Sequence, residues 1–231
     1  TEIYTLSLHD ALPIWFENDW LAARYHFSFA DYHDADRMGL GALRVWNDDL
    51  IQPGTGFAPH GHRDMEIVTY VREGAITHED SLGNRGVTKA GQVQVMSAGT
   101  GIRHAEANAG TDPCRLFQIW IQPRATGMPP HWETKPFPRA HGRLEVMASG
   151  SPDDGAAMIH ADARVLAATL DRGDRILHPL DGRKAYLVPA RGTLRVNGMA
   201  VGARSGMAVT DEPGLDIVAE DDAELVLVEV A

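Results

Sequence analysis

The chain has 231 residues, of which 44% are apolar and 23% charged. That composition can build a sizeable core and excludes a disordered chain. Lys and Arg total 21 against 32 Asp and Glu, a formal charge of −11. Such a balance argues against direct binding to nucleic acid or an anionic membrane. The single cysteine, Cys114, excludes an internal disulfide framework and fits a reducing, cytoplasmic setting. No apolar run approaches the ~20 residues a membrane helix requires.

In chain order, residues 1–14 (TEIYTLSLHDALPI) are similar to the in-frame translation of a sequencing-adapter oligonucleotide. They are expected to be foreign, with the native protein starting near Trp15; a native strand at Ile3–Leu6 is the alternative. A short helix is expected around Asn18–Arg24. From there β-rich runs follow one another: Leu43–Trp46, Ile67–Val71, Val93–Met96 and Leu116–Ile121. Glycines at 54, 56, 74, 83, 91, 99 and 101 punctuate them, the pattern of an all-β sandwich or barrel. Pro123–Pro138 lacks strand alternation and reads as an ordered crossing segment. A second β-rich region covers Arg143–Ala148, Ala163–Leu170, Ala185–Val188, Thr193–Val196 and Glu224–Val230, with residues 149–155 a loop. Glu66–Gly74 resembles Lys184–Gly192, and Gly91–Val95 resembles Gly206–Thr210. These likenesses predict two β-barrels made from a duplicated unit.

The chemical signal lies in Pro59-His60-Gly61-His62 and His104-Ala105-Glu106. Residues two apart on a strand point to one face, so each pair can aim at a common point. Two such strands side by side offer three imidazoles and one carboxylate. With positions left open, that set suits a redox-capable divalent ion such as Fe(II); Mn, Ni, Cu, Co or Zn also fit. Glu66 shares the parity of His60 and His62. His78 is expected at a strand end or turn. His26, His33, His131, His141 and His160 have no paired neighbour, so packing or exposure is expected of them. Cys114 reads as a small buried hydrophobe.

The fragments His26–Tyr32, Pro59–His62, His78–Asn84 and Met96–His104 together resemble the pirin family of the cupin superfamily. The likeness runs from about Trp20 to Trp132 and is looser beyond. It implies two cupin barrels (double-stranded β-helix, or jelly-roll), an N-terminal metal-binding one over 15–135 and a C-terminal one over 136–231. It implies one metal, held by His60, His62, His104 and Glu106. The wider cupin pattern would use Glu66 instead, so Glu66 is expected as a neighbouring support or alternative ligand. In the second half His178 falls opposite His60, Leu180 opposite His62, Lys184 opposite Glu66 and Ala219 opposite His104. No metal site is expected there.

The resemblance further implies quercetin 2,3-dioxygenase activity, with a small aromatic substrate and O2 as partners. Glu106 would accept the flavonol hydroxyl proton. Phe57 and Met96 are expected to line a flat apolar slot. The rival expectation is a non-catalytic, redox-sensing pirin that binds a protein partner.

Overall fold

The computed structural model describes residues 13–137 and 141–231. Of the segment expected to be foreign, all but Pro13 and Ile14 lies outside them. The described chain is nearly all β, with two single-turn 3-10 helices at Ala35–Arg37 and Pro152–Asp154. Among the described residues no helix is long and apolar enough to cross a membrane. The chain forms two compact units, Pro13–Pro138 with Met147–Asp162, and Ala163–Ala231 with Arg139–Val146.

In the first unit the strands are Ile14–Glu17 (β1), Leu21–Tyr25 (β2), Leu43–Ile51 (β3), Thr55–His62 (β4), Glu66–Glu73 (β5) and Ala75–Asp80 (β6). Arg85–Lys89 (β7), Gln92–Ser97 (β8), Ile102–Asn108 (β9), Cys114–Ile121 (β10) and His131–Pro136 (β11) follow. They form one sheet in the order β1-β2-β3-β10-β5-β8-β11 and another in the order β4-β9-β6-β7. Leu21, Ala23 and Tyr25 of β2, Ile51 of β3, Val71 of β5, Ile76 of β6 and Cys114 and Leu116 of β10 make one buried cluster, against which Phe57 of β4 packs. The two sheets therefore close their apolar faces on each other. Neither sheet closes on itself, so the unit is a two-sheet sandwich, the form a jelly roll takes. Cys114 is buried in it, as expected.

Two local expectations are corrected. The segment expected to be helical around Asn18–Arg24 is an Asn18-closed turn followed by β2, which pairs with β3 from Leu21↔Ile51 to Tyr25↔Asn47. A seven-residue helix is marginal alone, and alternating Leu21, Ala23 and Tyr25 bury better as a strand. The proline-rich crossing segment contains β11, which pairs with β8. An edge strand tolerates prolines at its ends, because one side needs no N–H donor.

At the end of Glu145–Ser149 (β12), Ala148 and Ser149 pair in parallel with Ala157–Met158 (β13). The second unit contains Ala163–Leu170 (β14), Arg175–Pro179 (β15), Lys184–Arg191 (β16), Leu194–Val196 (β17), Met199–Val201 (β18), Met207–Val209 (β19), Gly214–Ala219 (β20) and Ala223–Val230 (β21). Its strands run β14-β21-β16-β19 and β15-β20-β17-β18. That is the order β3-β10-β5-β8 and β4-β9-β6-β7 over again, so the internal likeness of the sequence reflects a repeated topology. Register refines the correspondence. His60 pairs with His104 as His178 pairs with Leu215, and His78 pairs with Glu106 as Val196 pairs with Ile217. Leu215, not Ala219, thus stands where His104 does. Leu180, Leu215 and Ile217 belong to one apolar core. His178 hydrogen-bonds Glu229 instead.

Candidate metal centre

The site is built on β4, β9 and β6. On β9, Ile102, His104, Glu106 and Asn108 are buried while Arg103 faces water, the period-2 pattern of a half-buried strand. On β4 the register breaks between Phe57 and His60, so Ala58 and Pro59 together oppose Ala105. This β-bulge puts Phe57 on the same face as His60 and His62, although His60 is three positions further along the chain. Pro59, which has no N–H to contribute to a ladder, suits the bulge.

His60 and His104 stand opposite each other, their Nε2 atoms 3.1 Å apart. The three ring centroids are 4.4 Å (His60–His104), 4.8 Å (His60–His62) and 5.0 Å (His62–His104) apart. Nδ1 of His60 lies 2.8 Å from the Ala58 carbonyl and must donate to it, which leaves the lone pair on Nε2 facing His104. The buried Nε2 of His62 has no hydrogen-bond partner. Burial, reinforced by the neighbouring His60, lowers the His62 pKa to about 4. Burial and the neighbouring His60, His62 and His78 lower that of His104 to about 3, against the opposing pull of Asp80. Neutral imidazoles with converging nitrogens, one of them buried and unsatisfied, fit a divalent transition metal.

Glu106 is the next buried residue of β9, two positions beyond His104, and its carboxylate is wholly enclosed. Its Oε1 accepts from Gln94 Nε2 at 2.7 Å and its Oε2 from Gln118 Nε2 at 2.9 Å. Burial raises its pKa, and these amides and the nearby His78 and His60 offset only part of that rise. Glu106 pairs across β6 with His78, a residue the sequence reading set aside as a strand end. His78 is buried mid-strand, stacked 4.9 Å from Trp132 at 12°. The ligand-capable atoms of His60, His62 and His104 lie within 4.8 Å of one another, and so do those of His78, His104 and Glu106. His104 belongs to both groups.

The signal for His78 was its spacing from Asp80. Their side chains share a face, and His78 Nε2 meets Asp80 Oδ2 at 3.0 Å. Asp80 also accepts from the backbone of Leu82 and Asn84 and from Asn84 Nδ2. Burial works against its charge, but these bonds hold its carboxyl below the usual range. Asp80 therefore holds His78 with its Nε2–H on the carboxylate and closes the turn after β6. Nδ1 of His78 is left buried and unpartnered.

The remaining expected site residues fall elsewhere. Glu66 accepts from Ser97 Oγ and from the His160 N–H at 3.0 Å, and it joins neither metal-capable group. Between His62 and Glu66 the chain turns through Asp64 at φ +47° and enters the other sheet. Shared parity holds only along one continuous strand, so it does not carry over this turn. Met96 is core, packed with Ile67, Ala98 and Ile102 rather than lining a slot. Phe57 is half-buried, 6.4 Å from the His60 ring and edge-on to Trp20 at 5.2 Å. The cavity beside His62, about 350 Å³, is lined by Gly61, Arg63, Ser81, Gly101, Ile102 and Arg103, and is not the expected apolar slot. In the second unit His141, Asp171 and Asp174 cluster on an open surface, with His141 and Asp171 both exposed.

Fold and site together define a class: a jelly-roll β protein carrying a histidine-rich donor set for a divalent metal. The Pirin family profile matches residues 8–121, and one described as the quercetinase C-terminal cupin domain matches residues 146–230. The chain is 55% identical to a pirin-like protein of Caulobacter vibrioides, covering 93% of this chain and 94% of that one. It is 41% identical to the quercetin 2,3-dioxygenase of Escherichia coli K12, covering 90% of each. The crystal structure of the E. coli bacterial pirin YhhW in complex with nickel(II) superposes with a TM-score of 0.90 at 37% identity, covering 94% of this chain and 95% of that one. The chain belongs to the pirin family.

Proposed function

We propose that this pirin is a metal-dependent dioxygenase that opens flavonols such as quercetin with O2. The observation that carries the reading is the His60–His104 pair. Its facing Nε2 atoms, with His60 locked by Ala58, are joined by the unsatisfied Nε2 of His62. His60, His62 and His104 would hold the ion, with Glu106 as fourth ligand; Fe(II) is the first choice and Ni(II) a close one. The bound ion would supply a Lewis acid and a template for the flavonol 3-oxygen. The chain's own part is to keep His62 and His104 neutral, to aim the His60 lone pair at the same point and to offer Glu106 as acceptor for the hydroxyl proton. The names of the relatives support the reaction class. The apolar Leu215 and Ile217 support a second unit without metal.

The test is direct. Protein loaded separately with Fe(II), Mn, Ni, Cu, Co or Zn is mixed with quercetin and O2, and loss of flavonol absorbance and release of carbon monoxide are followed. Turnover that disappears in His60→Ala and Glu106→Gln is expected. No turnover with any ion would replace this reading by that of a metal-dependent binding protein.

A further inference from the structure

Sheet pairing places one polar row across the face opposite the metal centre. Asn47 of β3 pairs with Gln118 of β10, Gln118 with Thr69 of β5, Thr69 with Gln94 of β8, and Gln94 with Thr134 of β11. Cross-strand partners share a face, so five adjacent strands present five polar side chains at one level. Asn47, Thr69, Gln94 and Gln118 are all buried. A polar belt inside a sandwich costs stability unless it is hydrogen-bonded. Two of its three amides, Gln94 and Gln118, end on Glu106.

The orientation of these amides follows from chemistry. Trp120 Nε1, which can only donate, lies 3.1 Å from Gln118 Oε1. The Gln118 amide nitrogen must then face the other way, onto Glu106 Oε2. Thr88 Oγ1 lies 3.1 Å from Gln94 Oε1, and Gln94 Nε2 takes Glu106 Oε1. Each carboxylate oxygen thus has one lone pair engaged and one to give. Trp120 also sets its ring edge-on to His62 at 4.8 Å. The relay that orients Glu106 therefore starts on the residue packed against His62.

We infer that Gln94 and Gln118 are positioning residues that clamp both oxygens of Glu106 and thereby set how it presents its carboxylate to the bound ion. This rests on Glu106 being a ligand, as proposed above. With either donor removed, the carboxylate swings toward the other amide and the ion loses part of its fourth ligand. Supporting groups of this kind change metal affinity by roughly 10–100-fold.

The test measures Ni(II) affinity by chelator competition and the ligand-field absorption bands of the Co(II)-loaded full chain. Gln118→Met and Gln94→Met keep side-chain length but remove the donor. Each is expected to weaken Ni(II) binding roughly 10–100-fold and to shift the Co(II) bands. In a Glu106→Gln background Gln118→Met is expected to add nothing further, which a merely structural role would not produce. Should Gln118→Met fail to fold, Trp120→Phe, which removes only the donor that orients Gln118, is expected to shift the same bands by less. Native affinity and bands in the glutamine variants, or losses that add in the Glu106→Gln background, would overturn the clamp alone. Native affinity in Glu106→Gln would overturn the ligand assignment itself and the clamp with it.

Discussion

His60 and His104 face each other across adjacent antiparallel strands with their Nε2 atoms 3.1 Å apart. In the metal-free chain a single proton can lie between them; an ion would take both lone pairs and that of His62. Binding to the folded state alone stabilises it by mass action, about 2.7 kcal/mol at one hundred times the dissociation constant. Ni(II) or Fe(II) is therefore expected to raise the melting temperature and EDTA to reverse the rise. His60→Ala should abolish the metal-dependent shift. A shift of native size in that variant would remove His60 from the donor set.

His62 and His104 contribute to the pH response of the metal-free chain with a defined sign, opposite to that of Asp49, whose carboxyl burial pushes up to about 8. His62 and His104 have folded-state values lowered to about 4 and about 3 by burial, against 6.5 for an ordinary histidine. Below pH 6.5 these two histidines take up protons in the unfolded chain and refuse them in the folded one, so their contribution to stability falls as pH falls. The loss should begin near pH 6.5 and level off near pH 3. Compared by urea midpoints at steps from pH 7.5 to 4, the native chain should lose stability relative to His62→Phe/His104→Phe as pH falls.

Glu66 supplies the contrast to Glu106. Its carboxylate is buried and accepts from Ser97 Oγ and the His160 N–H. Both donors meet its Oε2, so in Glu66→Gln the amide oxygen can accept from both and only the charge assistance is lost, at a cost of about 1 kcal/mol. Metal content after loading should stay at the native level. Loss of the ion in Glu66→Gln, by elemental analysis, would restore Glu66 as a ligand.

Gly86 pairs with His78, and a Cβ there would sit 2.3 Å from Trp132 Cη2. The absent side chain is what lets the indole lie flat on His78. The clash is with a rigid ring, so Gly86→Ala should cost about 1–3 kcal/mol. It should also displace Trp132, seen as a change in tryptophan fluorescence. Native stability and fluorescence together would show that the indole has room to spare.

Several features were legible from residue order. Strand alternation with glycine punctuation marks an all-β chain, and the two-residue spacing of His60/His62 and His104/Glu106 marks same-face pairs. The repeated motifs around Gly74 and Gly192 mark a duplication that the strand orders bear out. The same period-2 logic does not extend to Glu66, expected as a support or alternative ligand, because the turn at Asp64 moves it into the other sheet. His78 was passed over because a histidine followed by Glu79 and Asp80 looks like a strand end. Its burial depends on Trp132, which lies far along the chain.

The sequence by itself determined the class of chain, the family motifs and the identity of three converging imidazoles, because side-chain direction along a strand is a local property. Only the tertiary structure decided the rest. Pairing of β4 with β9 and the bulge at Ala58-Pro59 bring Phe57, His60 and Glu106 to one face. The seven-stranded sheet facing them supplies Gln94 and Gln118, which lie on different strands of it and converge on a single carboxylate. Parity along a strand states which residues share a side, but which strands lie next to each other follows from burying two apolar faces together. The original tally of 11 histidines contains the metal-capable set; the packing of two sheets selects it.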